Sequence, residues 1–236
     1  MLFKKIIKLI FLILKGLAQE IVKIVIDIFK ICLNPTKDAQ LRTRFLLLIP
    51  EIFHSSKKED GKSCGFLETS IEVIINDMII PNIMWKAGRS AGAVRMSAIA
   101  SLALLIQTNT VKNIQVKLAT IENLIKLLIS VLDDENKSTR LYICNIYHII
   151  LKHFGPDLSK DLLHKLYPEF IKRLDDPVDD IRFEILAVFS VYMRSLNTAN
   201  YDKILYQAHL QMIYENVLLY LDDSNPQIQT KVFGKY

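Results

Sequence analysis

The sequence predicts an all-α solenoid, on three observations. Leu132-Asp133-Asp134, Leu174-Asp175-Asp176 and Leu221-Asp222-Asp223 repeat one phrase at spacings of 42 and then 47 residues, with Arg140, Arg182 and Gln229 each six positions beyond the second Asp. Apolar residues make up 51% of the 236-residue chain, and only seven glycines interrupt it. No sustained period-two alternation marks a strand, so closely packed helices are expected.

Periods of about 40 to 47 residues built from helices alone are those of HEAT-repeat and armadillo-type α-solenoids, whose units cannot bury their apolar faces until they stack. One continuous solenoid of about four to five helix pairs over residues 1–236 is therefore the predicted architecture. A first pair is expected over 17–53, as helices 17–33 and 40–53, where a weak copy of the phrase runs through Leu33-Asn34-Pro35 to Arg42. The second, 66–107, comes from aligning Ile80-Pro81 with Tyr167-Pro168, which sets Arg95 opposite Arg182 and Ile83 opposite Phe170 without a gap. In that copy Gly88 and Arg89 stand in the places of Asp175 and Asp176, reversing the charge of the turn. Pairs at 121–153 and 160–196 follow. The fifth, 202–236, is truncated in its second helix and should leave apolar surface from Ile213, Val217 and Leu221 uncovered.

Two stretches fall outside the pairs. His54 to Gly65 is polar and without helical periodicity, and reads as a mobile surface loop over 54–65. Met1-Leu2-Phe3-Lys4-Lys5 and the apolar run to Leu14 imitate a signal peptide, but Lys8 interrupts the run and no small-residue cleavage site follows. Nine residues also fall far short of the roughly 20 needed to cross a bilayer. An amphipathic helix over 6–33, part of the first repeat, is the expectation.

Proline placement divides into two kinds. Pro81 and Pro168 fall inside the first helix of their pairs, where a missing N–H and a clash with the preceding turn cost about 3 kcal/mol, so a kink used by the packing is expected at each. Pro177 and Pro226 follow the turn and should fix φ at the first turn of the second helix. The second helices carry broad apolar arcs, such as Ile181, Ile185, Val188 and Tyr192 beside Leu186, Phe189, Met193 and Leu196, wide enough to face neighbours on several sides.

Composition narrows the chemistry. Cys32, Cys64 and Cys144 are odd in number and far apart, so no disulfide framework is indicated and a reducing, cytoplasmic setting fits. Residues 1–120 hold 17 Lys/Arg against 9 Asp/Glu, whereas the remainder holds 13 against 16. Basic surface of this extent on solenoid helices is ordinarily solubility, which keeps nucleic-acid binding in second place. No Gly-rich phosphate loop, nucleophile elbow or HExxH occurs. Cys144, His148 and His153 lack the companions a tetrahedral metal site needs, so no metal and no cofactor are expected.

Two groups of residues stand out. Asp134, Arg140, Asp176, Arg182 and Asp223 have the spacing of an inter-repeat ladder: an Asp ending one turn, capping the second helix, can reach an Arg of the next repeat. This is read as structural. Trp85, the only tryptophan, lies with Arg89, Gly88 and Gly92 in a turn that an ordinary solenoid does not need. Two accounts stand level: a tight turn packed under an aromatic, or a partner-binding edge with Trp85 and Arg89 as anchors. A close backbone approach explains the glycines under either.

The stretch from Pro81 to Arg95, with Leu132-Asp133-Asp134, Thr139-Arg140-Leu141, Lys172-Arg173-Leu174-Asp175-Asp176 and Leu219-Tyr220-Leu221-Asp222-Asp223, resembles the C-terminal region of the HEAT-repeat dynein axonemal assembly factors, the HEAT repeat-containing protein 2 family. The likeness runs from about residue 66 to 232, and Trp85-x-Ala87-Gly88-Arg89 is its specific part. It implies a non-enzymatic cytoplasmic scaffold for preassembly of axonemal dynein arms. The implied partners are dynein intermediate and heavy chains, other assembly factors and chaperones, with no membrane; the family carries no catalytic residues to transfer. Members are several times longer, so the chain resembles a fragment. Two rivals remain. A generic HEAT adaptor for tubulin or transport would line one edge with basic turns, which the Asp-rich turns oppose. A nucleic-acid-binding solenoid would show affinity falling with log salt.

Overall fold

The structure is a computed structural model that describes residues 19–55, 70–107, 116–197, 201–202 and 204–234. Among the described residues there is no strand, and the fold is all-α, of the solenoid class. The expected amphipathic start at 6–16 and residues 56–65 of the polar loop lie outside the described residues, while His54 and Ser55 end a helix. Two compact units are present, Met1–Thr120 and Ile121–Tyr236.

In the first unit α1 (Gln19–Leu33) and α2 (Ala39–Ser55) form one pair. A π-helical turn (Ile74–Ile79), continued by α3 (Ile80–Ile83), pairs with α4 (Arg89–Leu105). The second helices α2 and α4 lie along each other, and α1 packs on the π turn, so first and second helices form separate layers. Leu46, Ile79, Ile83, Ala98, Ile99 and Leu102 are fully buried, which puts the core of this unit between the layers.

The π turn is the structural answer to Pro81. A proline cannot donate to the carbonyl four residues back, and here the helix widens before it, with the Ile80 N–H reaching Ile75 O, five residues back. Asn82 then completes the wiring: its amide donates to Met78 O (2.7 Å) and to Leu33 O (2.9 Å), and its Oδ1 accepts from Arg42 Nη1 (2.9 Å). One buried Asn thus ties the second pair to both helices of the first. Pro168 instead sits within an ordinary α-helix, Lys160–Leu174, so the shared proline register is met in two different ways.

The second unit contains α5 (Leu118–Ile129, from Ile121 on), α6 (Lys137–Phe154), a 3-10 turn (Gly155–Asp157), α7 (Lys160–Leu174) and α8 (Asp179–Ser195). It ends with α9 (Gln207–Leu218), a 3-10 turn (Leu219–Asp222) and α10 (Pro226–Phe233). The second helix α6 lies along α8, and α8 meets α10, while the first helix α7 meets α9. Phe170 is the aromatic hub, edge-on to Tyr147, Phe189 and Tyr192 at centroid distances of 5.1, 5.8 and 6.0 Å. Tyr147 and Tyr192 are fully buried yet hydrogen-bonded: their hydroxyls donate to Ile125 O (3.1 Å) and Leu163 O (3.0 Å), closing each pair from within.

Gly155 marks a close approach. A Cβ added there would lie 1.9 Å from Ser195 Oγ and 2.5 Å from Ser195 Cβ, so the end of α6 and the end of α8 meet at a glycine. Ser195 Oγ itself donates at this crossing, at 3.2 Å from Leu151 O and 2.8 Å from Val191 O. Between α7 and α9 lies a ring cluster: His164 packs on Tyr206 (3.7 Å between centroids) and Tyr201 (5.0 Å), with its Nδ1 3.3 Å from His209 Nδ1.

Two expectations are corrected. Ile213 and Val217, expected to be uncovered, are buried at 1% exposure each, while Leu221 is exposed as expected, together with Met212, Leu218, Leu219 and Phe233. Pro226 opens α10 as expected, but Pro177 precedes α8 by two residues and sits inside a side-chain-closed turn.

Candidate interface and the inter-repeat contacts

The geometry that the turns share begins with their backbone. Asp134, Asp176 and Asp223 each accept, through Oδ1, the N–H two residues on, at 2.8 Å from Asn136, 3.0 Å from Val178 and 2.7 Å from Asn225. Asn34 does the same for Thr36 at 3.0 Å. A short side-chain acceptor closes such a turn as a backbone carbonyl would. Helix capping falls to the residue beyond: Asn136 caps α6 through Ser138 N, and Asn225 caps α10 through Gln227 N. The Asp therefore shapes the turn rather than capping the helix.

The residue six positions on ties back to the same Asp. Arg140 Nη1 donates to Asp134 O at 2.8 Å, and Gln229 Nε2 donates to Asp223 O at 2.6 Å. The remaining guanidinium nitrogens of Arg140 grip Asp176 of the following repeat with both oxygens engaged, Nε at 2.7 Å and Nη2 at 2.9 Å. The Asp176 side chain is fully buried and that of Arg140 is 9% exposed. The hydrogen bond to Asp176 raises the Arg140 pKa against the opposing effect of burial. Arg182 pairs in the same sense with Asp223, and also holds Asp179 at 2.6 Å, which raises its own pKa and lowers that of Asp179. In both rungs the arginine comes from the earlier repeat and the aspartate from the later one, the reverse of the expected direction.

A second set of rungs runs the other way, and the interval-of-six pattern does not reveal it. Arg173 of the later repeat pairs with Asp133 of the earlier, and Tyr220 donates to Asp175. Both donors stand one residue before the repeated Leu, at Leu174 and Leu221, so the signal was their shared register rather than their type. Arg173 Nη1 also lies 3.2 Å from Asp176. Asp133, Arg173, Asp176 and Arg140 therefore form one continuous chain of charges across the boundary.

Trp85 lies in the turn between α3 and α4, and Arg89 is the first residue of α4, both within the first unit. Trp85 is 68% exposed and Met84 57%, and every residue from Met84 to Ser90 is exposed, so the aromatic does not cover the turn. Gly88 adopts φ +101°, which L side chains rarely do, and a Cβ there would meet nothing within 4 Å. Conformation, not close approach, is what requires this glycine; Gly92 has only Arg95 Nη2 at 3.9 Å. The turn is held from below by Arg95, whose Nη1 donates to Lys86 O at 3.4 Å. Arg89 opens α4 without a carboxylate in the first turn and makes no ion pair among the described residues.

Nothing in these contacts assembles a catalytic or metal centre. Among the described residues no group of three His, Cys, Asp or Glu could hold a metal ion. Cys144 is fully buried, and burial pushes its thiol up to about 12, away from nucleophile chemistry. No described helix is long and apolar enough to cross a membrane.

No protein-family model matches the sequence. The chain is 33% identical over 210 residues to dynein axonemal assembly factor 5 of Xenopus laevis, and 32% identical over 213 residues to the protein of that name from Mus musculus. To the Homo sapiens protein of that name it is 29% identical over 208 residues. These matches take in 88 to 90% of this chain and 24 to 25% of each relative, so the chain spans about a quarter of their length. A crystal structure of an engineered protein matches with a TM-score of 0.57 over 88% of this chain and 76% of that one, at 11% identity, a likeness of fold alone.

Proposed function

The chain is a relative of the dynein axonemal assembly factor 5 family over about nine-tenths of its length, and on that premise we propose that it is a non-enzymatic scaffold for cytoplasmic preassembly of axonemal dynein arms. In this reading it holds dynein intermediate and heavy chains, alongside other assembly factors and chaperones, before the arms enter cilia. The observation that carries the reading is the match to three vertebrate proteins named as assembly factors. The turn at Trp85 supports it, because an exposed Trp and Arg on an ordered turn are the side chains that concentrate binding energy at interfaces. A stacked helical array with its charges spent between repeats has the character of a platform rather than of a reaction vessel.

Tagged chain expressed in differentiating multiciliated cells tests this directly. Dynein intermediate or heavy chains should co-purify with it from the cytoplasmic fraction during ciliogenesis, and the finished axoneme should lack it. Recovery mainly in the axoneme, or from cytoplasm without any dynein subunit, would sink the reading.

A further inference from the structure

The turn from Met84 to Ser90 lies in an unusual electrostatic setting. From Met78 to Ile121 the sequence contains no Asp or Glu and five Lys/Arg. On its N-terminal side the nearest carboxylates in sequence are engaged, Asp77 with Lys30 at 2.7 Å and Glu72 with Lys117 at 3.4 Å. Lys86 and Arg89 are exposed and make no ion pair among the described residues. Beside them Met84 and Trp85 present apolar surface to solvent. The backbone beneath is fixed by Gly88, by the Arg95 hydrogen bond to Lys86 O and by the three contacts of Asn82, so the turn would lose little freedom on binding.

We propose that this turn receives an acidic polypeptide segment carrying an apolar residue, which lies against Trp85 and Met84 while its carboxylates meet Lys86 and Arg89. The proposal rests on the scaffold reading and names the chemistry of what the scaffold holds there. Charge complementarity decides the occupant: two cations that pair with no carboxylate among the described residues repel a basic segment and leave a neutral one without orientation. An anionic membrane fits less well, because two cations and two apolar side chains fall below the four to eight basic residues that mark a lipid-binding cluster.

Trp85 is the only tryptophan, so its emission reports on this turn alone. The full chain is titrated with a synthetic twelve-residue peptide of Asp and Glu around a Leu-Phe pair. Its emission should shift to the blue and become shielded from acrylamide, and the effect should weaken as salt is raised. The same peptide with Lys for each acidic residue should do nothing. Arg89→Glu should weaken the acidic peptide about fivefold or more, since an attraction becomes a repulsion, with the melting curve unchanged because Arg89 is exposed. No shift at millimolar peptide, equal effects of the acidic and basic peptides, or a shift with phosphatidylserine vesicles but not with peptide would each overturn the proposal. Capture of dynein subunits separates the two readings. Subunits lost on Trp85→Ala without any peptide binding would leave the scaffold standing and remove the acidic segment; peptide bound with no subunit captured would do the opposite.

Discussion

Asp133 and Asp176 come from adjacent positions of the same repeated phrase, yet the first side chain is 65% exposed and the second fully buried. Breaking a buried pair leaves the partner's charge stranded, which costs about 3 to 5 kcal/mol, whereas an exposed pair contributes about 1 kcal/mol or less. Asp176→Ala should therefore lower stability by roughly 3 to 5 kcal/mol in urea unfolding and Asp133→Ala by less than about 1. Equal losses would show that burial does not set the value of these rungs. His164 gives a pH test. Burial, and then His209, lowers its pKa below the usual histidine value of 6.5, Lys160 adding to the effect and Asp161 opposing it. A depressed folded pKa means the unfolded chain binds the proton more readily, so stability is full above about pH 6.5 and declines as pH falls through the folded value. His164→Phe, which keeps a ring against Tyr206 and removes the titration, should flatten melting temperature against pH between about 7 and 5. At this scale the interval from Asp134 to Arg140 was legible, because both ends are fixed by one turn of chain. Arg173 and Tyr220 were not, because their partners lie across a repeat boundary whose offset only packing defines.

The elements were legible where pattern and turn chemistry agree. Leu-Asp-Asp phrases followed by Asn136 or Asn225 lead into α6 and α10, and the apolar arc of Ile181, Ile185, Val188 and Tyr192 is buried on α8 as its periodicity requires. A π turn precedes Pro81 while Pro168 lies in an ordinary α-helix, a difference that their shared register does not carry; Asn82, whose amide donates to Met78 O, follows Pro81, and Glu169 follows Pro168. Ile213 and Val217 were expected to be uncovered because the second helix of the last repeat is cut short, yet neighbouring elements bury them, and only Leu221 of the three is exposed. Gly155 supplies the test at this scale. With Ser195 Oγ 1.9 Å from the new methyl position, Gly155→Ala must push α6 and α8 apart, at a cost of about 1 to 3 kcal/mol for overpacking. An unaltered thermal midpoint would mean that the crossing relaxes freely.

Across the whole chain the fold class was written in the repeat period, while the function was not: residue chemistry excluded familiar catalytic motifs and marked Trp85, but could not say whether that ring was covered. Its 68% exposure removes the covered-turn account. The double change Trp85→Ala with Arg89→Glu should accordingly reduce recovery of dynein subunits by at least about fivefold while shifting stability by less than about 0.5 kcal/mol, as surface substitutions do. Unfolding of the double variant would return the turn to a packing role. The opposed rungs of the second unit have a mechanical meaning. One boundary is tied twice at its turn edge, from Arg140 forward to Asp176 and from Asp133 forward to Arg173, with the cation on opposite sides in the two ties. Sliding of one repeat past the next would strain both ties, so the turn edge resists shear. At the other end of the same helices the tie is the neutral hydrogen bond of Ser195 Oγ to Leu151 O, weaker than a charge-assisted pair, so bending that opens that end strains less than sliding at the charged one.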